Sequence, residues 1–385
     1  MPILADFNNC TGCTACEAIC PKSAISMIAD GMGFKFPQID PSKCIECKLC
    51  EKNCPVINAR LPNNGISKTY AAQLYDKDEL MNSQSGGAFY AIARLVIQKG
   101  GVVYGAGYNI KLDVCHQRAA DYISLENLRY SKYVQSDMSG VFRMVLQDLK
   151  SGLIVLFSGT PCQIAGLLNF VPLKLQKLLF TVDIVCHGVP SPEVYKQYRE
   201  YLSKKYNQSI KKFIFRDKRS FGWRTARESI IFKNGKQVSS YSYNYLFLES
   251  NLITRKACSL CKFCSVQRVS DITIADCWGW EKIGSEKFSE NNGISLTIIN
   301  TEKGDSIFRE LRVFLDSLKV SLDLVMQHNL KEPTLRPKLA DCVAEDFSKY
   351  GFEYIHHKYG YTLYNRGKAL INRCVNKIFR IIKKS

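Results

Sequence analysis

The chain has 385 residues, 46% of them hydrophobic, a formal net charge of +18 and seventeen cysteines. That length supports two or three domains with their own cores, and no run approaches the roughly eighteen apolar residues of a membrane-spanning helix. The opening "MPILADFNNC" lacks the basic start and apolar stretch of a secretory signal, so the default expectation is a cytoplasmic protein whose thiols bind metal or do redox chemistry. The basic excess lies in residues 201–240 (eleven basic, two acidic) and 351–385 (eight basic, one acidic) and suits anionic cofactors, acidic redox partners or a membrane surface. With no helix-turn-helix pattern, RNP-like aromatic strand or zinc-finger spacing beside it, a nucleic-acid partner is not expected.

The first element is an internal repeat. Cys10-x2-Cys13-x2-Cys16-x3-Cys20-Pro21 recurs as Cys44-x2-Cys47-x2-Cys50-x3-Cys54-Pro55, each cysteine displaced by 34 positions. A cubane cluster needs four thiolates converging from different directions. A tight C-x2-C-x2-C loop supplies three, and the cysteine before proline reaches the other half. Cys10, Cys13, Cys16 and Cys54 are therefore assigned to one [4Fe-4S] cluster, and Cys20, Cys44, Cys47 and Cys50 to a second. Paired zinc sites would want four local ligands each, which this crossed pattern does not give.

A turn-rich linker, "NARLPNNGISK" at 58–68, precedes a strand-like "TYAAQLY", placing a boundary near residue 65. In "NSQSGGAFYAIARLVIQKGG", Ser83 or Ser85 is a candidate cap for an amphipathic helix. The pair Gly86-Gly87 in its first turn would let a phosphate or flavin ring approach backbone N–H groups.

"GGVVYGAGY", "LIVLFSGTPCQIAGLLNF" and "LLFTVDIVCHGVPSPEVYKQYREYL" then read as a strand and two strand-turn-helix units, the later strands being continuous apolar runs expected of a sheet covered on both faces. Cys162 and Cys186 fall in equivalent turns at the carboxyl edge of that sheet, where open α/β folds bind ligands. Ser191 reads as an N-cap with Pro192 at the first helical position.

Cys162 can be a nucleophile with His187 as base, or half of a metal site completed by "ACSLCKFCSVQRVSDITIADCWGW". The residues permit a local set (Cys258, Cys261, Cys264, Cys277) or a long-range set (Cys162, Cys186, Cys258, Cys261). Trp278 and Trp280 either shield such a site or belong to the core.

The cysteine repeat together with "SQSGGAFYAIA", "SGTPCQIAGL", "DIVCHGVPSP", "FRDKRSFGW" and "ACSLCKF...SDITIADCWG" resembles the family of coenzyme F420 hydrogenase/dehydrogenase beta subunits, in its bacterial branch with a fused dicluster ferredoxin module. The resemblance implies FAD, a third [4Fe-4S] cluster on Cys162, Cys186, Cys258 and Cys261, and a flavin lying against Ser85, Gly86, Gly87, Gly159, Thr160, Pro161, His187 and Gly188. His187 is then the catalytic candidate, and Arg216 and Lys218 meet phosphate or reduced-flavin charge.

The implied function is an iron-sulfur flavoprotein oxidoreductase coupling a two-electron carrier or substrate (F420-like, nicotinamide or sugar-pathway) to one-electron ferredoxin-type centres. Relatives of this branch near cell-surface polysaccharide genes suggest a sugar-pathway step. The alternative is a non-catalytic electron-transfer subunit serving a partner reductase.

The expected architecture is an α+β ferredoxin-like dicluster module over 1–62, an α/β flavin-binding domain over 66–300 and a helical basic C-terminal region over 301–385. At its end, "RGKALINRCVNKIFRIIKKS" sets Leu370, Ile371, Val375, Ile378 and Ile382 opposite Arg373, Lys377 and Arg380. Such a helix docks on its own domain or a partner, or lies peripherally on an anionic membrane.

Overall fold

The computed structural model describes residues 1–59, 68–283, 286–288 and 290–361. The expected boundary near residue 65 and the amphipathic segment at 366–385 lie outside the described residues.

The N-terminal module holds an antiparallel hairpin, β1 (Ile25–Ala29) and β2 (Lys35–Ile39), between two short helices, Ala15–Ile19 and Leu49–Asn53. The sequence repeat is also a conformational one. Thr14 and Lys48 adopt the left-handed region before each helix, and Cys20 and Cys54 end each helix in extended conformation. The backbone N–H groups of these two cysteines donate to Glu17 O and Glu51 O.

Downstream come β3 (Lys68–Leu74), β4 (Val102–Tyr108), β5 (Val114–Ala119), β6 (Val155–Gly159), β7 (Leu179–Ile184), β8 (Ile210–Ile214), β9 (Glu228–Phe232), β10 (Gln237–Ser240), β11 (Ile272–Asp276), β12 (Ser295–Ile299) and β13 (Leu315–Lys319). Strands β10-β9-β8 form a separate antiparallel sheet, and the main sheet runs β13-β3-β12-β11-β7-β6-β4-β5. Its centre, β11-β7-β6-β4, is parallel, and the flanking pairs are antiparallel.

The continuous apolar strands sit in that parallel centre because both faces are covered. Leu156 and Val182 pack with Ala91, Ile92 and Val96 of the Ala88–Gln98 helix, while Val155, Phe157 and Leu179 pack with Ile164, Ala165 and Leu168 of the Pro161–Phe170 helix. Ser191 accepts from Val194 N at the head of the Pro192–Tyr206 helix, with Pro192 in its first turn.

The region after residue 300, expected as helical, also supplies β13, which pairs with the outer edge of β3 from Leu315↔Leu74 to Lys319↔Tyr70. Five residues are too few to show a period, and the open edge of β3 decides their conformation. Beyond it, helix Leu339–Tyr359, broken at Gly351, packs Phe347, Phe352 and Ile355 on Tyr198 and Leu202.

In that last core Glu228 is fully buried, accepting from Tyr198 Oη at 2.6 Å and from Asn244 N at 2.7 Å. Burial pushes its carboxyl up to about 7. Because the folded value lies above the unfolded one, the stability tied to this group is fully present below the ordinary carboxyl range and is lost as pH rises through about 7. Melting temperatures followed by circular dichroism between about pH 5 and about pH 8 are expected to fall in wild type and to stay flatter in Glu228→Gln. Parallel curves would mean the carboxyl titrates normally.

Candidate redox site

Each half of the cysteine repeat contributes to two small apolar cavities. Cys10, Cys13, Cys16 and Cys54 line one, and Cys20, Cys44, Cys47 and Cys50 line the other. Three cysteines of one loop thus meet the pre-proline cysteine of the other half, the donor set a cubane takes. Ala24 N donates to Cys20 Sγ at 3.3 Å, an N–H···S bond of the kind that tunes such centres. Gly12 sits at φ +70, a backbone region that favours glycine, and a Cβ there would press on the side-chain ends of Gln135 and Arg255 at 2.8 and 2.9 Å.

A third group of thiols forms at the carboxyl edge of the main sheet. Cys162 begins the Pro161–Phe170 helix after β6, Cys186 follows β7, and Cys258 and Cys261 come from the segment after the Pro190↔Thr254 bridge. These four lie close enough that ionising one opposes ionising the others. Their Sγ atoms take local bonds: Cys162 with Thr160 Oγ1 at 3.2 Å, Cys186 from Gly188 N at 3.4 Å and Cys258 from Val189 N at 3.4 Å.

Cys264 hydrogen-bonds Cys261 and lies within charge range of Cys186 and Cys258. Cys277 instead is core, packed with Trp280 and Ile294, so the local set of four is not assembled. Burial first, then Cys261, pushes the Cys162 thiol up to about 11, opposite to an activated nucleophile. Among the described residues no three His, Cys, Asp or Glu side chains converge for a single metal ion. The thiolates around a cubane stand farther apart than ligands of a mononuclear ion.

Beside these thiols a cavity of about 380 Å³ opens at the ends of β6, β7 and β11. Ser85, Gly87, Gly159, Thr160, His187, Gly188 and Arg216 line it, as does Cys186. His187 exposes its ring to the cavity, and desolvation by the surrounding protein lowers its pKa, so it is neutral at physiological pH. A larger cavity of about 680 Å³, between the ferredoxin hairpin and the Pro192–Tyr206 helix, contains no cysteine, and its walls carry the ion pairs Lys35–Asp137 and Arg199–Asp113.

Several expected residues have other work. Neither Ser83 nor Ser85 caps the Ala88–Gln98 helix: Gly87 does, at φ 82. Ser83 Oγ accepts from Arg129 Nη2, and Ser85 Oγ donates to Asp276. The N–H groups of Gly86 and Ala88 donate to Ser295 Oγ at 2.9 and 3.3 Å, so this helix start is closed to phosphate. Gly86 is needed for packing, a Cβ there falling 2.0 Å from Ala72 O.

Lys218 does not reach the cavity. Its Nζ donates to Leu80 O, Ser85 O and Asn292 O at 2.6–2.8 Å, and burial pushes its pKa down to about 7. Arg216, buried, needs a counter-ion and takes Asp276 Oδ2 at 2.5 Å, with Trp223 O at 2.6 Å, instead of a phosphate. Pro161 serves as the first residue of its helix.

Sequence reasoning missed Asp276, His116 and Gln84 here, and left Trp278 open between a shielding and a core role. Asp276, at the end of β11, also accepts from Trp223 Nε1 at 2.7 Å. Trp278 lines the cavity and stacks on Trp223 with centroids 4.8 Å apart. His116 Nε2–H donates to Ser158 O at 2.9 Å and Nδ1 accepts from Ser136 Oγ at 2.7 Å, burial holding its pKa down to about 4. Gln84 faces the cavity with carboxamide O and N both buried and unpartnered. An orphaned donor–acceptor pair at a cavity wall marks a ligand with a matching edge. The pyrimidine ring of a flavin presents one, so the residues present fit that group.

Residues 9–58 match the family model for the 4Fe-4S dicluster domain, and residues 153–314 match the model for the C terminus of coenzyme F420 hydrogenase/dehydrogenase beta subunits. The chain carries the C-terminal domain of coenzyme F420 hydrogenase/dehydrogenase beta subunits fused to a 4Fe-4S dicluster domain. Among curated relatives, the F(420)H(2) dehydrogenase of Methanosarcina mazei has a subunit 23% identical over 197 residues, 46% of this chain and 53% of the relative. The chain thus spans about half the length of that relative. Ferredoxin YfhL of Escherichia coli is 35% identical over 79 residues, covering 19% of this chain and 85% of the ferredoxin. Among solved structures, a chain of the xenon-derivatised F420-reducing [NiFe] hydrogenase complex from Methanosarcina barkeri aligns with 76% of this chain and 90% of its own, at 17% identity and a TM-score of 0.46. The chain is an iron-sulfur protein related to oxidoreductase subunits, with a fused dicluster domain for its clusters.

Removing the Asp276 carboxylate leaves the Arg216 guanidinium buried and unpaired. Asp276→Ala is expected to cost about 3–5 kcal/mol in anaerobic denaturant unfolding, and Asp276→Asn less, since it keeps an acceptor for Ser85 and Trp223. A loss under about 1 kcal/mol would mean that the pair does not hold these segments.

Proposed function

We propose that the chain is an iron-sulfur flavoprotein oxidoreductase. FAD occupies the cavity at the sheet edge, a third [4Fe-4S] cluster is held by Cys162, Cys186, Cys258 and Cys261, and the two ferredoxin clusters use the crossed sets of cysteines. One observation carries this reading: the thiol groups form a continuous series from the cavity. Cys186 belongs both to the cavity wall and to the four-thiol group, and one turn beyond Cys162 on the same helix Gly166 packs against Cys13, a Cβ there falling 3.0 Å from its Sγ. When bound, the flavin supplies the exchange between a two-electron partner and one-electron centres.

The chain's own residues position and insulate. Gln84 fixes the pyrimidine edge, Trp278 walls the cavity with Trp223 stacked behind it, and neutral His187 is placed to hold or release a proton at an imidazole nitrogen facing it. The two-electron partner is a carrier or substrate of the F420, nicotinamide or sugar-pathway type.

A second reading, an electron-transfer subunit, is favoured by the outer end of the series. Cys47 is exposed, with apolar Ile45 and Leu49 exposed beside it, a surface on which a redox carrier or partner reductase can dock. Turnover by the chain alone with a small-molecule acceptor separates the two.

Anaerobically purified wild type is expected to hold about twelve irons and about one FAD, and Cys162→Ser about four irons fewer. About eight irons in both would remove the third cluster. Gln84→Leu is expected to lose flavin while keeping its iron; unchanged flavin content would take the pyrimidine edge away from Gln84.

A further inference from the structure

Arg255 is the most deeply buried arginine near the thiols, at 1% exposure, and among the described residues no carboxylate pairs with it. Its acceptors are neutral oxygens: Nε donates to Cys10 O at 2.8 Å, Nη1 to Gln135 Oε1 at 2.9 Å and Nη2 to Lys35 O at 2.9 Å. The guanidinium lies over the rings of Phe36 and Phe34 of the ferredoxin hairpin at 4.2 and 5.4 Å. A buried guanidinium costs several kcal/mol unless an anion compensates it.

The anions available are thiolate clusters on either side. Arg255 holds the Cys10 carbonyl directly, touches the Gly12 position, and is three residues before Cys258, whose N–H donates to Arg255 O at 3.0 Å. The Arg255 charge lies within electrostatic range of Cys10 in the first ferredoxin loop and of Cys162 and Cys258 at the sheet edge.

Resting on the three-cluster reading above, we propose that Arg255 is the shared counter-ion of two clusters, the one on Cys10, Cys13, Cys16 and Cys54 and the one on Cys162, Cys186, Cys258 and Cys261. Its positive charge favours the more negative, reduced state of each and so raises both reduction potentials together, keeping the step between them nearly level. It is a positioning and tuning residue. The cluster on Cys20, Cys44, Cys47 and Cys50 sits in the other cavity and serves as an internal reference.

The test is a potentiometric titration followed by EPR on fully loaded protein, for wild type, Arg255→Lys, Arg255→Gln and Gln135→Glu. Arg255→Gln is expected to shift two of the three potentials to more negative values and leave the third in place, and Arg255→Lys to return both towards wild type. Gln135→Glu keeps the guanidinium but sets a carboxylate against it, so the same two potentials should fall by less; it covers the case in which Arg255→Gln fails to load. Three unchanged potentials in loaded Gln135→Glu, or an equal shift of all three in loaded Arg255→Gln, overturn the proposal. A wild-type iron count of about eight overturns the three-cluster reading instead, and shows before any titration.

Discussion

The carboxylate of Asp276 is the point on which the cavity depends. It ends β11 in the parallel centre of the sheet and receives Ser85 from the loop before one helix, Arg216 from the end of β8 and Trp223 from the loop beyond. Three segments distant in sequence are tied to one strand end, and each contributes to the wall or its support. Arg216 lies over Trp278 at 5.7 Å and Trp278 stacks on Trp223, so the ion pair also sets the aromatic side of the cavity. In a low-dielectric setting an arginine and an aspartate stay buried only as a hydrogen-bonded pair, which makes the arrangement nearly all-or-none.

The second constraint is how the ferredoxin module meets the sheet domain. Its carbonyls receive side chains from the other side: Arg143 bonds Ala18 O and Glu17 O, Gln135 bonds Thr11 O, and Ser191 bonds Met32 O. Apolar contact accompanies them, Cys13 and Ala15 packing with Ile164 and Leu168 of the Pro161–Phe170 helix. One rigid helix therefore carries Cys162 at its start and meets the first ferredoxin loop a turn later. An electron route built on one helix does not lengthen when loops move, which suits single-electron steps between the proposed third cluster and the first.

Legibility in the sequence followed the range of the interaction. The ferredoxin cysteines were readable because each loop is a local motif and the repeat states the symmetry outright. The turns bearing Cys162 and Cys186 were readable as strand ends, but their meeting with Cys258 and Cys261 needs the adjacency of β7 and β11, which no spacing encodes. Gly86 was misread for the same reason, while Gly87 does line the cavity. A glycine pair before a helix looks the same whether a phosphate or a strand fills the space, and here Ala72 O and Leu74 fill it. Lys218 sits in a basic run that suggests a charged face, yet it is buried under three carbonyls. Asp276, Gln84 and His116 are single polar residues whose importance comes from partners far along the chain, or, for Gln84, from having none.

The placement of charge along the thiol series gives it a direction of design. At the inner end the charges are buried groups: Arg216 is matched to Asp276 at the cavity, and among the described residues no carboxylate pairs with Arg255. The outer end is exposed at Cys47 and flanked by apolar side chains. A cluster near water gains solvation when reduced, whereas a buried one must be stabilised by fixed charges and dipoles. On the proposed three-cluster arrangement, the inner pair of sites needs an arginine that the outer site can do without, and a single side chain lodged between the two would serve both at the desolvation cost of one.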